Sequence, residues 1–331
     1  MATMNDVARR ARVSLATVSA VLNQSAYVSP ELTLRVQKAA AALDYRINAL
    51  ARGLKQGSTQ SVGMLIPSFS TPDPFFGEVV HGAEVVLSEN NYSLLLGQTH
   101  NRVSEQSRHL SGFRARHVDG LLLFQASGND EELEHFLAAK KPVVFVGRVP
   151  TNVDADIVAT DIETGTFMGV SHLLKKGLKR VGLVTQRDSL SVRDFRLKGW
   201  HRAYAEHGLT PAQELHAEGV LSVDGGHAAT MQLLNRKQLP DAIFADDLAL
   251  AIGVFRALQQ RELIGKIEVL SSDDAEWLDV FHIPVSTIVQ PSHEVGVTAA
   301  KLFLNRLRDP KRPYETILLK PTLKIRQGNN S

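Results

Sequence analysis

Two rhythms of apolar residues divide the chain. Over residues 5–11, Val7, Ala8 and Ala11 fall on one helical face, and over residues 15–23 Val18, Val21 and Leu22 do the same. Ser14 stands immediately before the second run, where a hydroxyl accepts an orphan amide of the first turn. A third helix is predicted from Ser29-Pro30, a cap followed by proline at a position where its missing N–H costs nothing. Leu32, Val36, Ala39, Ala40 and Leu43 then recur at helical spacing. Two helices of about two turns with a tight connection predict a helix-turn-helix, and the third closes its core. By itself a core of this size is marginal.

The polar stretch Gln56-Gly57-Ser58-Thr59-Gln60 reads as a linker, and beyond it the rhythm changes. Strands are predicted at 62–66, 93–96, 120–124 and 143–146, with amphipathic helices near 77–88, 104–114 and 131–139 between them. The alternation resumes with strands at 181–185, 217–220, 242–245 and 268–270, and a last strand-like run covers 322–326. Such alternation predicts an α/β fold of parallel sheets with crossover helices. Two series suggest two lobes with a ligand cleft at the carboxyl ends of the strands, although spacing alone does not prove two.

Charge sharpens the division. The 331 residues carry a net +2, yet residues 1–60 hold eight Lys and Arg against Asp6, Glu31 and Asp44, or +5, which leaves −3 for the rest. A basic head on a slightly acidic body fits a polyanion-binding module joined to something else. A merely solvated surface would account for the charges equally well. The absence of cysteine excludes disulfides and thiolate metal sites. Residues 1–12 carry Asp6, Arg9, Arg10 and Arg12 with no apolar run, so they do not read as a secretory signal, and nothing approaches the ~18 apolar residues of a membrane span. The expectation is a soluble cytoplasmic protein.

No phosphate loop, dinucleotide fingerprint, nucleophile elbow or zinc-protease motif occurs, and the 12 histidines show no pair at metal-ligand spacing. Neither enzyme activity nor a cofactor or metal is expected. A transport-type binding protein would have similar lobes but should begin with a signal peptide. A purely architectural DNA protein would not need the long body.

The string Asn5-Asp6-Val7-Ala8-Arg9-Arg10-Ala11-Arg12-Val13-Ser14, continuing as Leu15-Ala16-Thr17-Val18-Ser19-Ala20-Val21-Leu22-Asn23, resembles the head of the lac repressor (LacI/GalR) family of bacterial transcriptional regulators. Val28-Ser29-Pro30-Glu31 and Asp44-Tyr45-Arg46-Ile47-Asn48-Ala49-Leu50-Ala51-Arg52-Gly53-Leu54-Lys55 extend the match. The resemblance implies a DNA-binding domain over 1–47 and a hinge helix and linker over 48–60. It places Leu15, Ala16 and Ala20 toward bases in the major groove and Thr17 and Ser19 near phosphates, with Thr3, Ser14 and Asn23 in the same interface. It makes Asn48, Ala51, Arg52, Leu54 and Lys55 part of a hinge that folds in the minor groove, with Leu54 as the apolar wedge. Ala20 departs from the long polar side chain that many members carry there. With Leu15 and Ala16 also apolar, thymine methyls and DNA shape are expected to carry more of the readout. Gly53 lowers helix propensity by up to ~1 kcal/mol, which makes the hinge more dependent on DNA for folding.

Beyond the linker the chain is similar to the family's two-lobed periplasmic-binding-protein-like core. The matching pieces are Pro74-Phe75-Phe76, Val118-Asp119-Gly120-Leu121-Leu122, Arg196-Leu197-Lys198-Gly199-Trp200, Asp246-Asp247-Leu248-Ala249, and Ser272-Asp273-Asp274 with Pro284-Val285-Ser286-Thr287-Ile288. The implied effector-binding and dimerisation core spans 61–331, with lobe 1 at about 61–161 and 290–320 and lobe 2 at about 162–289 and 321–331. The implied ligand residues are Phe75 and Phe76 as an aromatic wall, Arg196 as a clamp, Asp246, and Asp273 near a later strand end. Phe75 and Phe76 would serve equally as core, and Asp246 as a helix cap. Trp277 reads as lobe-interface filler or a ligand-stacking ring.

Arg148, Arg187 and Arg193 are further candidate cations: with two of them in the cleft the effector would be a sugar acid or phosphorylated sugar, otherwise a neutral sugar. Losing Arg196 should then silence the effector response and spare operator binding. The partners implied are double-stranded operator DNA, that effector, and a second copy of the chain. A dimer is expected rather than a tetramer, because residues 327–331 offer no leucine heptads.

Overall fold

The computed structural model describes residues 2–23, 26–45, 58–67, 74–126, 128, 130–147, 154–187 and 190–326. The chain forms two compact units, divided between residues 59 and 60. The expected hinge at 48–55, Arg148 and residues 327–331 lie outside the described residues.

The first unit contains α1 (Met4–Ala11), α2 (Leu15–Asn23) and α3 (Pro30–Ala42). Thr3 and Asp6 form a capping box, with Asp6 Oδ2 accepting from the Thr3 amide at 2.9 Å. Arg12 ends α1 in the left-handed region (φ 52°), which turns the chain sharply into α2. The Thr17 amide donates to Ser14 Oγ at 3.1 Å, so Ser14 caps α2 as its position predicts. Val7, Ala11, Val18, Val36 and Ala39 meet in the core. Arg35 reinforces it by donating to the Ala11 carbonyl at 2.6 Å, satisfying a group that the end of α1 leaves open.

The second unit holds two six-stranded sheets. The strands are β1 (Ser61–Ile66), β2 (Ser93–Gln98), β3 (Gly120–Leu123), β4 (Val143–Val146), β5 (Asp156–Thr160), β6 (Val181–Gln186), β7 (His216–Gly219), β8 (Ala242–Ala245), β9 (Glu268–Ser272), β10 (Ser286–Val289), β11 (Thr316–Leu319) and β12 (Thr322–Lys324). The helices are α4 (Phe75–Glu89), α5 (Val103–Ala115), α6 (Glu131–Ala138), α7 (Ile162–Lys175), α8 (Leu190–Glu206), α9 (Val223–Leu234), α10 (Leu248–Gln260) and α11 (Ser292–Arg308). Sheet order is β11-β5-β4-β3-β1-β2 in one and β12-β10-β9-β8-β6-β7 in the other. Among the described strands every pairing is parallel except β10 with β12.

Both faces of each sheet are covered, as parallel sheets require. Met64, Ile66 and Leu122 join α4 and α11 on one face of the first sheet, while Leu65, Leu121 and Leu123 join α5 and α6 on the other. α4 and α11 approach so closely that a Cβ on Gly82 would stand 2.1 Å from the His293 carbonyl oxygen, and one on Gly296 2.0 Å from that of Val79. In the second sheet Trp200 and Tyr204 of α8 pack beside Phe244, opposite Val254 and Leu258 of α10.

The chain passes between the sheets three times: after β5, after β10 and after β11. None of these three strands is apparent from apolar runs. β5 has only Ile157, Val158 and Ala159 between polar ends, and its burial between β4 and β11 makes it a strand. Among the described residues no helix is long and apolar enough to cross a membrane.

Candidate functional site

A cleft of about 600 Å³ of open space, continuous with solvent, lies along the carboxyl ends of the strands of both sheets. Thr160 closes β5 and Gln186 closes β6, while Pro67, Phe124, Gly147, Asp246, Asp273 and Gln290 each follow directly on a strand. Phe75 and Phe76 enter from the first turn of α4, and Arg196 from α8. Strand ends gather polar groups here because the sheets leave backbone and side chains open where the pairing stops.

The walls differ in chemistry. From the first sheet come Phe75, Phe76 and Phe124, whose rings pack edge-to-face with centroids 5.2 to 6.2 Å apart. Phe124 lies directly on Gly147 (φ 70°), where a Cβ would meet the ring at 2.4 Å, so glycine is required on both counts. Three rings form the wall, one more than sequence reading supplies.

The second sheet contributes a charged cluster. Arg196 is 3% exposed, and its Nε donates to Asp246 Oδ1 at 2.5 Å. Its Nη2 reaches Ser272 Oγ at 2.7 Å and the Asp246 carbonyl at 3.2 Å, and its Nη1 reaches Thr166 Oγ1 on α7 at 3.3 Å. Asp246 Oδ2 also accepts the Gln186 amide at 3.1 Å. Asp247, not Asp246, caps α10, accepting the Ala249 amide at 2.6 Å. Asp273 adopts the left-handed region (φ 68°) and accepts from Gln290 Nε2 at 2.6 Å. Burial pushes its carboxyl up to about 7, Asp247 and Asp246 push the same way, and Arg196 and Gln290 hold it back.

Phe75, Phe76, Arg196, Asp246 and Asp273, expected from sequence, therefore line one cleft. Arg193 does not line it: Glu218 at 3.3 Å and Asp194 at 3.1 Å hold its guanidinium. Arg187 is exposed and also absent from the lining, and Trp277 lies at the surface with its ring 6.2 Å from that of Phe281. Phe124, Thr160, Gln186 and Gln290 line the cleft without having been expected. Their one common signal is position at a strand end, which needs the strands first.

In the first unit α2 presents Leu15, 46% exposed, with exposed Ala16 and part-buried Ala20. Thr3 and Ser14 serve the helix caps, and Ser14 Oγ lies 2.8 Å from Thr17 Oγ1. Asn23 Nδ2 donates to the Ser19 carbonyl at 2.9 Å and lies 3.2 Å from Ser19 Oγ. Ser14, Thr17, Ser19 and Asn23 thus bond within α2 or at its cap, and Thr3 caps α1.

The family model described as bacterial regulatory proteins, lacI family, matches residues 3–48, and that of a periplasmic binding protein-like domain matches residues 170–328. The chain is 32% identical over 331 residues to the ribose operon repressor of Haemophilus influenzae, covering 99% of this chain and 98% of that protein. It is 33% identical over 326 residues to the ribose operon repressor of Escherichia coli K12, covering 98% of each. Identity to the HTH-type transcriptional repressor PurR of Photobacterium profundum is 30% over 332 residues, covering 99% and 98%. Among solved structures, the lac repressor dimer bound to operator and the anti-inducer ONPF matches with a TM-score of 0.85, 26% identity and coverage of 100% and 99%. A complex of the transcriptional regulator CelR with cellobiose matches at 0.73, 25% identity and coverage of 99% and 100%.

Proposed function

The chain belongs to the lacI family of bacterial regulatory proteins, and on that premise we propose a transcriptional repressor whose hold on operator DNA is set by a neutral sugar in the cleft. The head reads DNA through the α2 face of Leu15, Ala16, Thr17, Ser19 and Ala20. The hinge residues Asn48, Ala51, Arg52, Leu54 and Lys55 complete the operator contact, with Leu54 as a minor-groove wedge. The core spans residues 61–331, with the two sheets as its lobes. The protein works as a dimer, because two half-sites need two heads. Trp277, Val280 and Phe281 form an exposed apolar patch suited to that contact, with Val280 82% exposed.

The charge balance of the cleft carries the choice of effector. Its described lining has one cation, Arg196, against Asp246, Asp247 and Asp273, and Asp246 already takes the guanidinium. A sugar acid or phosphorylated sugar would enter among carboxylates with no uncommitted cation in the described lining. Neutral hydroxyls suit these acceptors, and the three phenylalanine rings suit the C–H face of a sugar. The kinship with ribose operon repressors makes D-ribose the first compound to test.

Thermal-shift titration with D-ribose, D-xylose, D-glucose, D-galactose, D-gluconate and ribose 5-phosphate tests the reading. A bound sugar at 100 times its Kd adds about 2.7 kcal/mol of stability. The expected result is stabilisation by a neutral sugar, accompanied by altered operator affinity. Stabilisation by the anions alone would overturn the assignment.

A further inference from the structure

Thr160 lines the cleft at the first crossing between the sheets. It is 6% exposed, and its hydroxyl has no hydrogen-bond partner among the described residues. Its backbone is fixed by strand pairing, with Leu319 of β11 alongside and the Asp161 amide bonded to the Leu319 carbonyl at 2.8 Å. Leaving a buried hydroxyl without a partner is costly, and a valine of the same shape would avoid that cost. Packing therefore does not account for threonine here.

The rest of the cleft sets this unpaired hydroxyl apart. Arg196, Asp246 and Asp273 are engaged with one another or with Ser272, Gln186 and Gln290. On the opposite wall Pro67, the three phenylalanines and Gly147 offer no polar side chain. Thr160 alone brings a side-chain hydrogen-bonding group from a strand of the first sheet to the described lining. Among the described residues, Thr160 is the one cleft-lining residue with a buried side-chain polar atom that lacks a partner.

We infer that the Thr160 hydroxyl is a specificity contact for the effector, exchanging a hydrogen bond with a sugar hydroxyl on the aromatic side while the Arg196–Asp246–Asp273 cluster holds the opposite edge. This rests on the neutral-sugar reading above. A sugar bound in this way joins both sheets through polar bonds, at a residue from which the chain passes directly into the second sheet's helix α7. A sugar lacking the matching hydroxyl leaves Thr160 unpaired and loses most of the discrimination, because rejection by an unmet buried polar group exceeds that by a missing methylene.

The experiment uses full-length wild type, Thr160→Val and Thr160→Ser. Each is titrated calorimetrically with whichever of D-ribose, D-xylose, D-glucose and D-galactose stabilises the wild type most, and with that sugar's monodeoxy analogues. Thr160→Val should melt without sugar at or above the wild-type temperature and bind the sugar at least tenfold more weakly, whereas Thr160→Ser stays within about threefold. One monodeoxy analogue should bind wild type and Thr160→Val equally, which locates the partner hydroxyl. Equal affinity of wild type and Thr160→Val for the parent sugar would overturn the inference and leave the sugar reading standing. So would a lower sugar-free melting temperature of Thr160→Val, which would assign the hydroxyl to a structural water. If none of the four sugars stabilises the wild type, the sugar reading itself fails and this contact falls with it.

Discussion

Arg196→Ala is the substitution that sequence reasoning selects to separate effector response from operator binding, and the structure predicts a different result. The guanidinium does not stand free in the cleft. It is buried on Asp246, Ser272 and Thr166, tying β8, β9 and α7 together. Truncation leaves the Asp246 carboxylate in the interior with only the Gln186 amide as a partner. Breaking a buried pair on one side costs about 3–5 kcal/mol, because the remaining charge is uncompensated. Against a total stability of about 5–15 kcal/mol, that is a fifth of the fold or more.

Urea unfolding at pH 7 measures the loss, with Trp200, buried in the same lobe, as the fluorescence probe. The cycle Arg196→Met, Asp246→Asn and the double variant should be non-additive by up to ~3 kcal/mol, the double variant being more stable than the sum of its parts. Effector binding vanishes in Arg196→Ala, but operator binding weakens as well wherever the core no longer holds two heads together. An Arg196→Ala midpoint equal to wild type, with additive single effects, would refute the reasoning and restore a clean separation.

Asp273→Asn should stabilise the sugar-free protein, increasingly so as pH rises from about 4 to 7 and constantly above that. The folded carboxyl keeps its proton up to about 7 while an unfolded one releases it near 3.8, so the wild type loses stability steadily as pH rises across that window; a pH-independent difference in unfolding free energy would contradict it. Val280→Asp should weaken dimerisation at least tenfold in sedimentation velocity while leaving the melting temperature of the core unchanged, since the side chain is exposed within one chain; an undiminished dimer would move the interface elsewhere. Leu54→Ala should lower affinity for operator DNA sharply and affinity for random DNA little at two salt concentrations, because phosphate-facing cations remain; equal losses on both DNAs would assign Leu54 to the fold of the head.

The head is legible in the sequence because its determinants are local. Thr3, Ser14 and Ser29 act within their own first turns, and Val7, Val18 and Val36 declare their faces by spacing. The same holds for β1, β4, β6 and β8, whose apolar runs are long enough to mark strands buried on both faces. The crossings are different. β5, β10 and β11 carry polar residues within or at the ends of their short apolar stretches, and β11 joins β5 across a separation in which an entire second sheet is built. No window of residues 156–160 or 316–319 contains that information.

The site divides along the same line. Arg196 and Asp246 are singled out by the family resemblance, yet the sequence gives no sign that they are each other's partners, 50 positions apart. Arg193, three positions from Arg196, looks equivalent on paper. One turn of α8 separates them, and that turn sends Arg196 inward to Asp246 and Arg193 to Glu218 near the surface. A cation's role on one helix face is thus fixed by the carboxylate that lies opposite it, and the apparent charge of the cleft changes with it. Counting arginines along the chain suggests a site for anions. Assigning Arg193 and Arg196 their carboxylates leaves a described lining rich in acceptors, with one unpaired hydroxyl on Thr160 of the first sheet.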